Sequence, residues 1–266
     1  MKSIRAILTI VGMSFVLAWA GCADAGSSAV PDDSTRSAQI TQTQAFGDVL
    51  SDLIDLTDSS NPGPTENYSF DNGLAVIDQG RMPAAGSVLF SLDSQGRAGV
   101  AKCSLTYQMY AEAKGARQGN PLDPPTGWPS TNAEVTIGPY ALTGKTYHGW
   151  FWNRSHQCGD SLTGKDSYSS AANFLTGTRT QNVGANQHGG MRVPEEIVEN
   201  YWKNHTDSDA TIWYQSTPIY NDDEIVPRGN VVDILSSDTS INVELVVIND
   251  AEGWTIDYST GEITPL

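Results

Sequence analysis

From Ala210 to Tyr258 the chain is a succession of strand-length runs separated by turn chemistry, and little other than an antiparallel sheet can be built from it. Ala210–Tyr220 alternates apolar and polar residues, and Asn221-Asp222-Asp223 turns the chain. Ile225–Leu235 returns, Ser236-Ser-Asp-Thr-Ser240 turns again, and Ile241–Asn249 and Trp254–Tyr258 complete the set. Upstream, Leu74–Ile77, Ser87–Leu92, Gly99–Tyr107 and Thr146–Trp152 read as further strands, punctuated by glycine. One helix precedes these strands and another interrupts them. Phe46, Val49, Leu50, Leu53 and Ile54 recur at helical spacing, ended by Ser59-Ser-Asn-Pro-Gly-Pro64. Pro194–Trp202 carries proline near its first turn, with Glu195 and Glu196 at the positive dipole end. The expected class is α+β: an antiparallel β-sheet core with few helices.

The N-terminus has the build of an export signal: Lys2 and Arg5, then an apolar stretch, Ile7–Ala20, too short to span comfortably. Two cleavage sites compete. Ala20-Gly21-Cys22 resembles a lipoprotein box, with Trp19 where leucine is usual, and Ala23-Asp24-Ala25 offers ordinary secretory cleavage. The preferred division is a lipoprotein-type signal over 1–22, a polar tether with the short helix over 23–64, and one domain over 65–266. The protein is then expected outside the cell or on its surface, anchored to the membrane only through a lipid on Cys22. Of the three cysteines, Cys103 and Cys158 remain as an even pair in an oxidising compartment. A disulfide and two buried thiols are both open readings.

With 15 Lys+Arg against 31 Asp+Glu, the formal charge is −16. Its distribution is uneven: residues 97–203 hold ten basic and eight acidic side chains, a local +2, so the remainder carries −18. A polyanion could be accepted at this region while the global field repels it at low salt.

Inside that region lies Trp150-Phe-Trp-Asn-Arg-Ser-His156, followed by Asn173-Phe-Leu-Thr-Gly-Thr-Arg-Thr-Gln-Asn182. A histidine at the end of an aromatic strand and two asparagines in a polar segment form a combination that packing rarely needs. Neutral imidazole takes protons near working pH. A hard divalent cation accepts a neutral oxygen ligand and keeps most of its waters, as metal-assisted phosphodiester cleavage requires. Arg154 is placed to hold a phosphate oxygen. The tryptophans at 150, 152 and 202 read as core rather than base-stacking platforms, and Glu199 as a solvated helix residue. His148, His188 and His205 read as surface residues. A zinc set of His156, Cys158 and His188 lacks the second closely spaced ligand pair that such sites carry.

Trp152-Asn-Arg-Ser-His156, Asn173 and Asn182, Gly189-Gly-Met191 and the helix with Glu195 together resemble the DNA/RNA non-specific endonucleases of the ββα-metal (His-Me finger) superfamily, in the streptococcal extracellular DNase branch. Gln95-Gly-Arg97, Pro125-Thr-Gly-Trp128, Thr217-Pro-Ile-Tyr220, Val226-Pro-Arg228 and Asp257–Gly261 extend the likeness over about residues 90–262. The resemblance implies a ββα-metal finger within the sheet protein. It implies His156 as general base, Asn182 as the magnesium ligand (manganese in its place), Asn173 as a supporting residue, and Arg154 on phosphate. Glu195 would hold metal-bound water, with Glu196 and Glu199 close by and the helix register open. It further implies hydrolysis of DNA, and of RNA, to 5′-phosphate ends, with no protein partner. Asn153 and Ser155 depart from the superfamily's Asp and Gly. The alternative is a non-catalytic exported binding module on the same scaffold, with the acidic balance and Asn153 as its best support.

Overall fold

The computed structural model describes residues 47–59, 66–114 and 122–266. The export signal, Cys22 and most of the tether lie outside the described residues. Six strands form the main sheet: β1 (Ser69–Gly73), β2 (Ser87–Leu92), β3 (Ala98–Leu105), β8 (Ile212–Ile219), β9 (Gly229–Ser236) and β10 (Asn242–Ile248), in the order β1-β10-β9-β8-β3-β2. Every pairing is antiparallel, and β8, β9 and β10 run as a meander, with Ile212 opposite Ser236 and Asn242 opposite Leu235. The tight turn after β9 is held by Asp238, whose carboxylate accepts from Ser236 Oγ at 2.6 Å and from Ser240 N at 3.1 Å.

Alternation sends successive side chains to opposite faces. Ile212, Tyr214, Val232, Ile234 and Val247 face α2 (Tyr107–Ala113) and α5 (Arg192–Asn204), which bring Tyr110, Val198 and Trp202 into one buried cluster. Ile219, Val231, Val246 and Ile248 face the first helix, α1 (47–57), through Val49 and Leu53. That helix is tied down at its end by Arg228, which donates to Thr57 Oγ1 at 2.8 Å and pairs with Asp58 and Glu224.

Three expectations change. Leu74–Ile77 is not a strand, because side chains take its amides out of the ladder: Ala75 N donates to Asn242 Oδ1 and Val76 N to Asp233 Oδ1. Thr146–Trp152 is not one strand but two. β5 (Tyr147–Trp150) pairs with β4 (Glu134–Ile137), and the chain bends at the fully buried Phe151 before β6 (Trp152–His156) pairs with β7 (Phe174–Thr178). Trp254–Tyr258 contributes β11 (Trp254–Asp257), which pairs outside the main sheet with β12 (Glu262–Pro265).

One helical turn, α3 (Asp160–Thr163), lies between β6 and β7; a second short helix, α4 (Arg179–Val183), follows β7 directly, so β6, β7 and α4 make a compact ββα unit. Buried amides dock it onto the main sheet. Asn249 accepts from Thr178 N at 2.8 Å and donates to Thr176 O and Pro227 O, and Gln181 donates to Asn230 Oδ1 at 3.1 Å. Cys103 of β3 and Cys158, two residues beyond β6, form a disulfide that adds a covalent tie between sheet and unit.

Candidate active site

β6 runs antiparallel to β7 with Arg154 opposite Thr176 and His156 opposite Phe174. Alternation therefore puts Arg154 and His156 on one face, with Asn153 and Ser155 on the other. The His156 ring rests on Phe174 (centroids 4.5 Å apart) and meets Tyr168 edge-on at 5.3 Å. Its Nε2 is enclosed and has no hydrogen-bonding partner among the described residues. Burial makes the imidazolium costly and lowers the ring's pKa to about 4. The side chain is thus neutral at physiological pH. Arg154 donates through Nη1 to Leu122 O at 2.6 Å and lies over the Trp128 ring, its guanidinium carbon 5.5 Å from the centroid.

Asn182, on α4, faces the other side of β6. Its Nδ2 approaches Asn153 Oδ1 at 3.4 Å, and Arg179 Nη1 reaches the same oxygen at 3.4 Å. Asn153, Arg154, Arg179 and Asn182 line one open cleft of about 720 Å³, walled by Trp128, Tyr147 and Trp150. The cleft thus joins Arg154 to the asparagine pair across the start of β6, while His156 sits at the strand's far end.

Asn173 lies elsewhere. It is fully buried, accepts from Cys158 N at 2.9 Å, and donates to Cys158 O and Ser167 O at 3.0 Å each. These contacts hold the turn just after His156. Glu195 is also buried, packed so closely on Gly159 that a Cβ there would come within 2.2 Å of its carboxylate. Burial raises its pKa to about 7 against the opposing pull of Arg192. Glu199 is not the solvated residue its helix position implied: it is mostly covered and shares Arg192 with Glu195 while pairing with Lys203 at 3.5 Å. Glu196 meets His188 Nδ1 at 2.7 Å.

The family described as DNA/RNA non-specific endonuclease matches residues 63–263. The chain belongs to that family. A deoxyribonuclease of Streptococcus dysgalactiae subsp. equisimilis is 30% identical over 206 residues, covering 68% of this chain; the chain spans only 61% of that relative's length. Among solved structures, the Sda1 nuclease with bound zinc ion superposes with a TM-score of 0.68 at 27% identity, over 76% of this chain and 98% of the other. NucA from Streptococcus agalactiae with magnesium ion bound shares the fold, with a TM-score of 0.54 at 21% identity, over 74% of this chain and 88% of its own.

Family membership makes the donor set of the cleft the test of a metal. Among the described residues no group of three or more His, Cys, Asp or Glu is placed to hold an ion, and Cys158 of the conceivable zinc set is in the disulfide. The cleft instead offers amide oxygens: that of Asn182, whose side chain makes a single long contact through Nδ2, and next to it Asn153 Oδ1, which already accepts from Asn182 Nδ2 and Arg179 Nη1. Such neutral oxygens fit a hard divalent cation that retains most of its water. The other asparagine of this segment, Asn186, is exposed, with Oδ1 accepting from Asn67 Nδ2 at 2.6 Å and His188 N at 2.9 Å. Two cleft residues were not anticipated from sequence: Arg179, in plain view between the two asparagines, and Trp150. Trp152 and Trp202 are core as expected, at 2% and 0% exposure, but Trp150 is 52% exposed, because the bend at Phe151 turns it outward.

Proposed function

We propose that this protein is an exported, divalent-cation-dependent endonuclease that hydrolyses phosphodiester bonds of DNA, and of RNA, without strong sequence preference. The observation that carries the proposal is the shared face of β6: a histidine kept unprotonated by enclosure, two residues from an arginine anchored at the rim of a cleft. Arg154 binds a non-bridging phosphate oxygen, since one guanidinium nitrogen is committed to Leu122 O and, among the described residues, its other N–H groups remain to donate. With Nε2 enclosed, His156 takes the proton of the attacking water on Nδ1 as the new O–P bond forms. The P–O3′ bond breaks in line, the 3′-oxygen acquires a proton from solvent, and the product carries a 5′-phosphate. The imidazolium so formed is offset by the phosphate anion held beside it. Asn182, with Asn153 adjacent, would hold a divalent cation, which would supply positive charge to the reacting phosphate and the departing oxygen. The zinc of the Sda1 nuclease supports a divalent ion; the neutral oxygen donors favour magnesium or manganese here. Asn173 acts as a positioning residue for the His156 turn, and Glu195 as the carboxylate beneath it.

Plasmid nicking with magnesium, with EDTA as control, tests this reading. His156→Ala is expected to lose several orders of magnitude while leaving the fold intact, with a lowered melting temperature from the lost packing on Phe174 and Tyr168. Asn182→Ala is expected to abolish cation-dependent cleavage, with Asn186→Ala far less affected; the reverse pattern would move the ligand to Asn186. Binding with no cleavage at any cation concentration would leave a non-catalytic binding module.

A further inference from the structure

Trp150 is a large aromatic side chain with no evident packing duty. It ends β5 opposite Glu134, is 52% exposed, and does not join the neighbouring buried cluster, into which Trp128 and Tyr147 are partly packed. Its backbone is nonetheless held firmly. Tyr147 Oη donates to Trp150 O at 3.0 Å, and the Tyr147 ring folds back over Gly149, where a Cβ would come within 2.5 Å of the hydroxyl. On either side, the cleft's two arginines lie against aromatic faces: Arg179 over Tyr147 at 5.3 Å and Arg154 over Trp128 at 5.5 Å. Both cations are thereby kept at the cleft, and among the described residues the indole of Trp150 remains the uncovered aromatic beside them.

We infer that Trp150 is a stacking platform for one unpaired nucleobase next to the phosphate held by Arg154 and Arg179, so that the cleft takes single-stranded nucleic acid in preference to duplex. This rests on the nuclease reading above. A paired base in a duplex shows only its edges in the grooves, whereas an unpaired one offers its face to an aromatic ring. Stacking is tolerant of sequence because every base has such a face, which suits a nuclease without sequence preference.

The test is the affinity of a fluorescently labelled short single-stranded oligodeoxynucleotide in EDTA, read by anisotropy. Trp150→Ala should weaken binding by roughly ten-fold or more, the scale of one stacked base, and Trp150→Phe should restore most of it. Wild-type protein should bind an oligonucleotide of abasic sugars as poorly as Trp150→Ala binds the intact one, and duplex affinity should barely change in the variant. Unchanged single-strand affinity in Trp150→Ala, or an equal loss on duplex, overturns the platform. Should Trp150→Ala fail to fold, the abasic comparison on wild-type protein decides alone. Because binding is read without cation, a protein that binds in this manner but never cleaves would sink the nuclease reading and leave the platform standing.

Discussion

Replacing Asn173 separates a positioning role from a metal-binding one, because the two roles predict opposite outcomes for a carboxylate. Its side chain is fully buried and satisfies Cys158 N, Cys158 O and Ser167 O at 2.9, 3.0 and 3.0 Å. Truncation to alanine leaves all three without that partner, and each enclosed, unpaired group costs about 1–3 kcal/mol. Partial relaxation of the two carbonyls brings the expected loss to about 3–5 kcal/mol, a large part of the roughly 5–15 kcal/mol by which folded domains are stable. Asn173→Asp should be at least as damaging, since the new carboxylate would point a negative charge at two carbonyl oxygens in place of donating to them. A ligand position behaves in the opposite way: a carboxylate there binds a hard cation more tightly than an amide does. Urea unfolding, followed by tryptophan fluorescence in EDTA and again with magnesium, reads both effects. The positioning reading requires wild type to be the most stable, the aspartate variant no more stable than the alanine one, and magnesium to rescue neither. An aspartate variant as stable as wild type and further stabilised by magnesium would refute it. The same variants should lose turnover as well, because the His156 ring rests on Phe174, the very next residue.

Other outcomes follow from the same geometry. The acid limb of kcat/KM governed by His156 should lie near pH 4 rather than 6.5, since the neutral ring is the active form and enclosure lowers its pKa; a limb near 6.5, matched by the histidine's NMR titration, would show the ring to be solvated. Glu195 and Asp233 are both raised to about 7 by burial, so each favours the fold while protonated, and stability should fall as pH rises from about 5 through 7. The double variant Glu195→Gln, Asp233→Asn should flatten that slope in denaturation midpoints, and an unchanged slope would contradict the assignment. Removing the disulfide by Cys103→Ser with Cys158→Ser reopens a loop of sequence separation 55 and should cost about 4 kcal/mol in urea unfolding under oxidising conditions. Arg179→Ala should raise KM more than it lowers kcat in a nicking assay if the side chain binds substrate, and an effect confined to kcat would assign it to the reacting phosphate instead.

Period-two alternation and turn chemistry made most of the sheet legible in the sequence. Ala210–Tyr220 alternates on a period of two and turn residues separate it from Ile225–Leu235 and Ile241–Asn249; β8 and β10 fall inside these runs and β9 runs one residue past its own, to Ser236, because local sterics and a buried face require the same register. Leu74–Ile77 misled for the converse reason: its apolar content is strand-like, yet its amides are claimed by Asn242 and Asp233, more than 150 residues away, and no local signal announces such partners. The candidate site divides along the same line. His156, Arg154 and Asn182 stood out because their chemistry is unneeded for packing. What sequence alone could not show is which face each would occupy, since that depends on the bend at Phe151, where an aromatic run predicts a continuous strand. The bend lets Phe151 and Trp152 pack edge-to-face at 4.9 Å, both buried, while Trp150 is turned to the solvent. A regular strand would place Phe151 and Trp152 on opposite faces, and only one of them could have entered this core. Burial of both rings therefore breaks the strand, and the break opens the cleft in which the arginines and the asparagine pair meet.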